Sequence, residues 1–476
     1  MKPILIAGEW ITTSHGVKNI NPSDLSDVVD IYAQAGRAET QTAIEAATHA
    51  ATTWGMSNPQ QRHDILHRVG DEILARKEEL GALLAREEGK VLPEAIGEVN
   101  RAGQIFLFFA AEALRQKGDV LASTRPGVGV EITREPIGVV GIIAPWNFPI
   151  AIPAWKIAPA ICYGNTVVFK PAELVPGCAW ALADILHRSG LPAGVFNLVI
   201  GPGSVVGQAM LDDPRVNAIS FTGSQSTGAR VAKASLPFLR KIQLEMGGKN
   251  PLVVLDDADL DVAVHCAVDG SFFSTGQRCT ASSRLIVTEG IHDRFVSAVS
   301  DRLATLRVGH ALDKATHIGP VVDANQLSQD LDYVAIARSQ GGLLRFGGEL
   351  VRRETDGHFL APALITETSP DMRINREEVF GPVASVIRVR DYEAALHVAN
   401  DIEFGLSAGI CTTSLKHATD FKRKAQAGMV MVNVPTAGVD HHVPFGGRKA
   451  SSYGSREQGT YASEFFSVVK TSYTAA

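Results

Sequence analysis

Cys279 is the residue in this chain best placed to do chemistry, and it lies in Ser274-Thr275-Gly276-Gln277-Arg278-Cys279-Thr280-Ala281-Ser282-Ser283-Arg284. Gly276 permits a tight turn before the thiol. The cation of Arg278 beside it should favour the thiolate, which is the nucleophilic form. A lone cysteine is most often an inert core residue, but a polar, glycine-containing loop is not its usual home. Glu245, in Leu244-Glu245-Met246-Gly247-Gly248-Lys249-Asn250, precedes two glycines that allow close backbone approach to a ligand. A carboxyl there suits a general base, although taken alone it reads as a glutamate ending an element before a turn. Asn147 stands as a polar residue in Pro145-Trp146-Asn147-Phe148-Pro149, after an apolar run. A buried amide must find partners, and as a donor it could stabilise an oxyanion. Beside proline it could equally be a turn residue.

Two strand ends suit a dinucleotide. Strand Thr166–Phe169 runs into Lys170-Pro171-Ala172-Glu173, and strand Ala218–Phe221 runs into Thr222-Gly223-Ser224 and then a helix. Ligands of open α/β sheets bind at the carboxyl ends of strands. Lys170 could reach a ribose or phosphate, and Glu173 could accept from a ribose 2′-OH. Gly223-Ser224 would open a helix N-terminus suited to pyrophosphate. Gly203 and Gly207 follow a spacing unlike G-x-G-x-x-G and carry little weight alone.

The elements that must position these residues follow from patterning. The 476 residues allow about three domains. Apolar residues at helical spacing predict helices over Thr40–Ala51, Gln60–Ala85 and Ala95–Gln116. Val120–Glu135, broken by Pro126-Gly127, predicts a hairpin. Apolar strands alternating with helices then run from Ile137 to about Val434, with strands at Gly138–Ile143, Val195–Ile200, Leu252–Leu255, Leu285–Thr288, Ala384–Arg388 and Met429–Asn433. This alternation predicts doubly wound parallel sheets, so the fold class is α/β. The tail Phe465–Tyr473 reads as one more strand. A lone hairpin is marginal in water, and pairing between chain copies would be the simplest remedy, which points to a homodimer or homotetramer.

Composition removes other classes. A net charge of −6 offers no basic field for nucleic acid or an anionic membrane. The uncharged stretch Pro136–Trp155 is long enough to span a bilayer, but its four prolines would break the helix a span requires. The N-terminal apolar run is too short for a signal sequence. Five cysteines, none in a CxxC pair, argue against a disulfide framework or a metal site and for a reducing, cytoplasmic setting.

Taken together, these motifs resemble the aldehyde dehydrogenase superfamily over essentially the whole chain. The matching stretches include Pro145–Pro149, Lys170–Glu173, Phe221–Ser224, Glu245–Lys249, Gly276–Cys279, Glu377–Pro382, Phe404–Ser407 and Pro444–Gly447, with Met246 and Phe404 in place of the usual Leu and Tyr. The resemblance implies Cys279 as the nucleophile, Asn147 and the Cys279 backbone N–H as the oxyanion hole, and Glu245 as the base that activates water. It further implies a cofactor site for NAD, with NADP as a second possibility, formed by Ile143, Trp146, Lys170, Glu173, Gly203, Gly207, Phe221, Gly223, Ser224, Met246, Glu378 and Phe380. It divides the chain into an NAD(P)-binding domain (1–116 and 136–247), a catalytic domain (248–447) and a small β oligomerisation domain (117–135 and 456–476).

Within the superfamily, Arg278 before the nucleophile resembles enzymes acting on anionic aldehydes. Asn433–Pro444 and Ser451–Gly459 resemble the α-ketoglutarate-semialdehyde (2,5-dioxopentanoate) dehydrogenases. The implied substrate residues are Arg278, Arg101, Phe148 and Phe445, with the guanidinium groups suited to a carboxylate. Arg101 could instead lie on a solvated helix face. Rival readings are a dehydrogenase of another aldehyde, such as succinate semialdehyde or phosphonoacetaldehyde, a CoA-acylating relative, and a crystallin-like structural protein. The presence of Glu245 weighs against the acylating enzyme. Retention of Cys279, Glu245 and Asn147 together weighs against the structural protein.

Overall fold

The computed structural model describes residues 1–475. Its first layer is an eight-stranded sheet. Five central strands, Phe196–Leu198, Thr166–Lys170, Val139–Ile143, Ala218–Thr222 and Lys241–Glu245, run parallel in that spatial order. They are almost wholly buried, and helices cover both faces, which is why they read as unbroken apolar runs. Their register sets Ile143 opposite both Lys170 and Phe221, and Thr222 opposite Glu245. The expected cofactor residues therefore line up at the carboxyl ends of neighbouring strands.

The edges of this sheet come from the two ends of the chain. The hairpin Ile4–Ile6/Glu9–Ile11 joins one side and the short strand Ser452–Tyr453 the other, both antiparallel. A second sheet of seven strands spans Asn250 to Val432. Six of its strands are parallel, with Leu343–Phe346 antiparallel at one edge.

Four helices precede the first central strand: Arg37–Trp54, Pro59–Ala75, Lys77–Glu88 and Leu92–Ala113. The run expected as one helix over Gln60–Ala85 is two. The backbone leaves helical geometry at Arg76, whose guanidinium bonds Glu72 on one side of the break and Glu79 on the other. Residues 1–36, to which the sequence reading assigned no elements, contain two hairpins.

The tail corrects a second expectation. Strand Ser467–Ala475 pairs along its whole length with Val128–Pro136 of its own chain, and Asp119–Ala122 completes a three-stranded sheet. Hairpin and tail are therefore partners within one chain and need no second copy for their backbone pairing. Phe465 and Phe466, just before the strand, are 0% and 1% exposed and belong to the first layer's core, because two aromatic rings need a thick core that a three-stranded sheet lacks. Ala476, the end of the range assigned to the small domain, lies outside the described residues. No helix among the described residues is long and apolar enough to cross a membrane, and no metal-ligating cluster occurs among them.

Candidate active site

Cys279 follows a helix, Leu260–Phe272, and a tight turn. The turn places Ser274 and Thr275 in left-handed backbone conformation, followed by Gly276 at φ +65°. A side chain at Gly276 would strike the Gly381 carbonyl, so only glycine lets the nucleophile loop and the Glu378–Gly381 loop touch. Three residues later the thiol opens into a cavity of about 230 Å³, lined also by Lys90, Glu98, Arg101, Phe148, Trp155 and Phe445.

The Pro145–Pro149 segment leaves the carboxyl end of its strand and separates two cavities. Trp146 lines a cavity of about 460 Å³ over the sheet end, while Phe148 faces the Cys279 cavity. Asn147 lies between, 3% exposed, and its Nδ2 donates to the Gln277 carbonyl at 2.9 Å. The larger cavity brings together Ile143, Trp146, Lys170, Gly203, Gly207, Phe221, Gly223 and Ser224. Gly203 and Gly207 leave its floor bare, since a Cβ there would meet only the Lys170 stem and the Ile143 side chain, at 3.8–4.0 Å. Ser224 caps the helix Gln225–Ser235 by accepting from Thr227 N. Burial lowers the Lys170 ammonium to about 8.

Glu173 and Met246 lie outside that cavity's wall. Glu173 accepts from Gln34 Nε2 at 2.9 Å, a partner supplied by the N-terminal hairpins and invisible in motif spacing. Glu378 and Phe380 line a narrow crevice beside Arg278, with Phe380 at φ +66° and edge-on to Trp146 at 5.4 Å. Glu378 Oε1 accepts from Gly248 N at 2.8 Å, and a side chain at Gly247 would collide with the same carboxylate.

Glu245 ends its strand fully buried. Burial and the nearby Glu457 carboxylate hold its carboxyl well above the usual range, while a 2.6 Å bond from Ser452 Oγ pulls the other way. Glu457 is hydrogen-bonded to Lys156, whose Nζ also donates to Ser220 Oγ at 2.9 Å, and both ionic side chains are at most 1% exposed. Sequence reasoning missed Lys156, Glu457 and Ser452. A signal existed for the first: Lys156 is the one charged residue in the helix Ala151–Cys162, every residue of which is buried.

The two arginines separate in role. Arg278 does not promote the thiolate as expected. Its Nη2 is hydrogen-bonded to the Asp269 carbonyl and donates to Gly270 O, in the last turn of the preceding helix, where carbonyl dipoles attract a cation. Burial, followed by the Glu378 and Glu245 carboxylates, pushes the Cys279 thiol up to about 12, although its own backbone N–H faces the sulfur and opposes the shift. Arg101 is no solvated-face residue. It is held by a 3.1 Å bond to Gln458 Oε1 and by the Trp155 ring at 5.4 Å; among the described residues its buried Nε has no hydrogen-bond partner and no acid forms an ion pair with it. Phe445 stacks on the other side of the cavity with Trp155, their centroids 5.4 Å apart.

The thiol's environment gives a direct test. A raised pKa means that thiolate accumulates only as pH rises, so the rate of Cys279 alkylation by iodoacetamide in the nucleotide-free protein should keep increasing beyond pH 9. Glu378→Gln removes one carboxylate that opposes ionisation and should speed alkylation at fixed pH. A plateau below pH 8, or a slower Glu378→Gln, would contradict this electrostatic account.

Comparisons with known proteins give the chain's family. Residues 10–472 match the aldehyde dehydrogenase family. The chain is similar to alpha-ketoglutaric semialdehyde dehydrogenase of Bacillus subtilis (44% identity, covering 98% of this chain and 96% of that one). It is also similar to alpha-ketoglutarate semialdehyde dehydrogenase of Haloferax volcanii (42%, 98% of each). Among solved structures, betaine aldehyde dehydrogenase of Staphylococcus aureus in complex with NAD+ superposes with a TM-score of 0.97 at 32% identity, covering 100% of this chain and 95% of that one. The chain belongs to the aldehyde dehydrogenase family.

Proposed function

We propose that this protein oxidises α-ketoglutarate semialdehyde to α-ketoglutarate with NAD, through Cys279 as nucleophile and Glu245 as hydrolytic base. The similarity to α-ketoglutarate semialdehyde dehydrogenases supports the substrate. The observation that carries it is Arg101: a half-buried guanidinium that borders the Cys279 cavity, which is sized for a short chain, and makes no ion pair with an acid among the described residues, because the nearby Glu98 is engaged by Lys90. A cation largely withdrawn from water without a direct counter-charge is costly, and a substrate carboxylate would complete it.

The chemistry follows from the residues. Cys279 Sγ attacks the aldehyde carbon. The oxygen that gains charge is stabilised by Asn147 and the Cys279 N–H. Bound NAD supplies the hydride acceptor; Lys170 and the bare floor at Gly203 and Gly207 would hold it, with the half-buried Glu173 at the ribose end and Glu378 and Phe380 at the nicotinamide end. Glu173 favours NAD over NADP because its charge repels a 2′-phosphate. The resulting Cys279 thioester is hydrolysed by water that Glu245 deprotonates, and the buried Lys156–Glu457 pair sets the potential around that carboxyl.

We divide the molecule accordingly into a nucleotide domain, a catalytic domain and the small three-stranded sheet. Val120, Leu121, Val469 and Tyr473 on that sheet are 83%, 52%, 60% and 60% exposed, which supports burial against a second copy. All five cysteines are unpaired, which suits a cytoplasmic setting.

Three outcomes test these readings. Glu245→Gln should still form NADH in a rapid burst, with slow turnover afterwards; unchanged steady-state turnover would remove Glu245 from deacylation. Arg101→Met should lower the kcat/KM ratio of succinic semialdehyde to butyraldehyde by about 10- to 100-fold, the equivalent of a charge-assisted bond of ~1.5–3 kcal/mol. Arg278→Ala should lower the ratio less, because Arg278 is engaged by two backbone carbonyls; an unchanged ratio in both variants would remove the acidic substrate class. Finally, light scattering should give at least twice the monomer mass, and Val469→Asp with Tyr473→Asp should reduce it; a wild-type monomer would refute assembly.

A further inference from the structure

The loop that carries Asn147 is gripped from behind by two buried opposite charges that the reaction as described does not use. Lys90 lies between the helices Lys77–Glu88 and Leu92–Ala113, and Glu98 lies on the second. Their side chains are 1% and 2% exposed, and Lys90 Nζ donates to Glu98 Oε2 at 2.6 Å. The same ammonium donates to the backbone carbonyl of Asn147 at 2.7 Å and sits 3.8 Å from the centroid of the Phe148 ring. The other Glu98 oxygen accepts from the N–H groups of Ile150 and Ala151 at 3.1 and 3.2 Å, where the helix Ala151–Cys162 begins. One ion pair thus holds four of the five residues from Asn147 to Ala151. From the front, the Asn147 amide is tied to the Gln277 carbonyl, two residues before the nucleophile.

We propose that Lys90 and Glu98 are positioning residues that aim the Asn147 amide at the oxygen of the thiohemiacetal, so that the pair sets the rate of acylation. The proposal rests on the reading of Asn147 as an oxyanion donor. Magnitudes favour a positioning role over a stabilising one. A buried ion pair contributes little net stability compared with apolar residues of the same size. A displacement of about 1 Å in a catalytic group costs on the order of a hundredfold in rate. The contacts are also specific: they fix a carbonyl and a ring within the segment that divides the two cavities, and the start of the helix that follows it.

Lys90→Met keeps an apolar stem over Phe148 and removes the donor. Glu98→Gln keeps an acceptor for the Ile150 and Ala151 N–H groups and removes the charge. Each would be assayed in the intact enzyme for single-turnover NADH formation, NAD affinity by fluorescence titration, and Cys279 alkylation by iodoacetamide, a displacement in which no oxyanion forms. NADH formation should fall at least tenfold in both variants, while NAD affinity and alkylation stay within twofold of wild type. The double variant should be no worse than Lys90→Met alone, as for residues acting as a unit. NADH formation within twofold of wild type in Glu98→Gln, or a parallel fall of all three readouts, would overturn the proposal. Asn147→Ala, assayed alongside, separates the two levels. If it is unimpaired, the oxyanion reading itself has failed; if it is impaired while Glu98→Gln is not, only the clamp has.

Discussion

An ionic group inside a protein costs several kcal/mol unless it is paired and hydrogen-bonded, and this constraint fixes where the C-terminal segment must lie. Lys156 sits on a helix with no exposed residue. Its counter-charge, Glu457, comes from 301 residues away in sequence. Bringing Glu457 to Lys156 draws the chain back across the first sheet. Ser452 then reaches Glu245, Phe445 and Glu457 exchange backbone hydrogen bonds, and Gln458 meets Arg101. The hydrogen-bond partner of Glu245, one wall of the Cys279 cavity and the partner of the cavity's arginine are therefore delivered by one returning segment.

The same low-dielectric interior decides the protonation states. Glu245, Glu378 and Glu457 face the region around Cys279, and each negative charge opposes a further one on sulfur. Burial moves Glu378 up to about 7 and Glu245 higher than the usual carboxylate range. Thiol and carboxyls thus compete for ionisation, and the proposed order of thiolate attack followed by carboxylate-assisted hydrolysis can use that competition. Arg278, adjacent in sequence to the thiol, takes little part in it because the carbonyl end of the preceding helix holds its guanidinium.

The two cavities meet along one short segment. Trp146 belongs to the larger, Phe148 to the smaller, and Asn147 to the wall between them. A wall three residues thick cannot rely on its own stiffness, so it is tied on both sides: by Gln277 in front, and by Lys90 and Glu98 behind. Loop residues that do chemistry need such support from rigid elements, here the two helices that flank Lys90.

The sequence by itself determined the fold class, most of the parallel strands and the residues at their ends. Strands that are continuously apolar could be read directly, and Lys170 and Thr222 fell at the carboxyl edge as their register shows. The strand Lys241–Glu245 was not legible, because polar Gln243 interrupts it, and neither were the short strands Ala363–Thr366 and Ser407–Cys411. The nucleophile and base motifs were legible because glycines at fixed offsets leave a local signature. What only the tertiary structure decided was which long side chains meet. The backbone leaves the helix at Arg76 although the periodicity of the run would continue it. Arg278 turns to a helix end and Arg101 into a cavity, although neither direction is encoded locally. The tail's partner, the origin of Glu457 and the grip of Lys90 on Asn147 depend on contacts across tens to hundreds of residues. Such pairings follow from burial and charge balance in the folded chain, and periodicity carries no information about them.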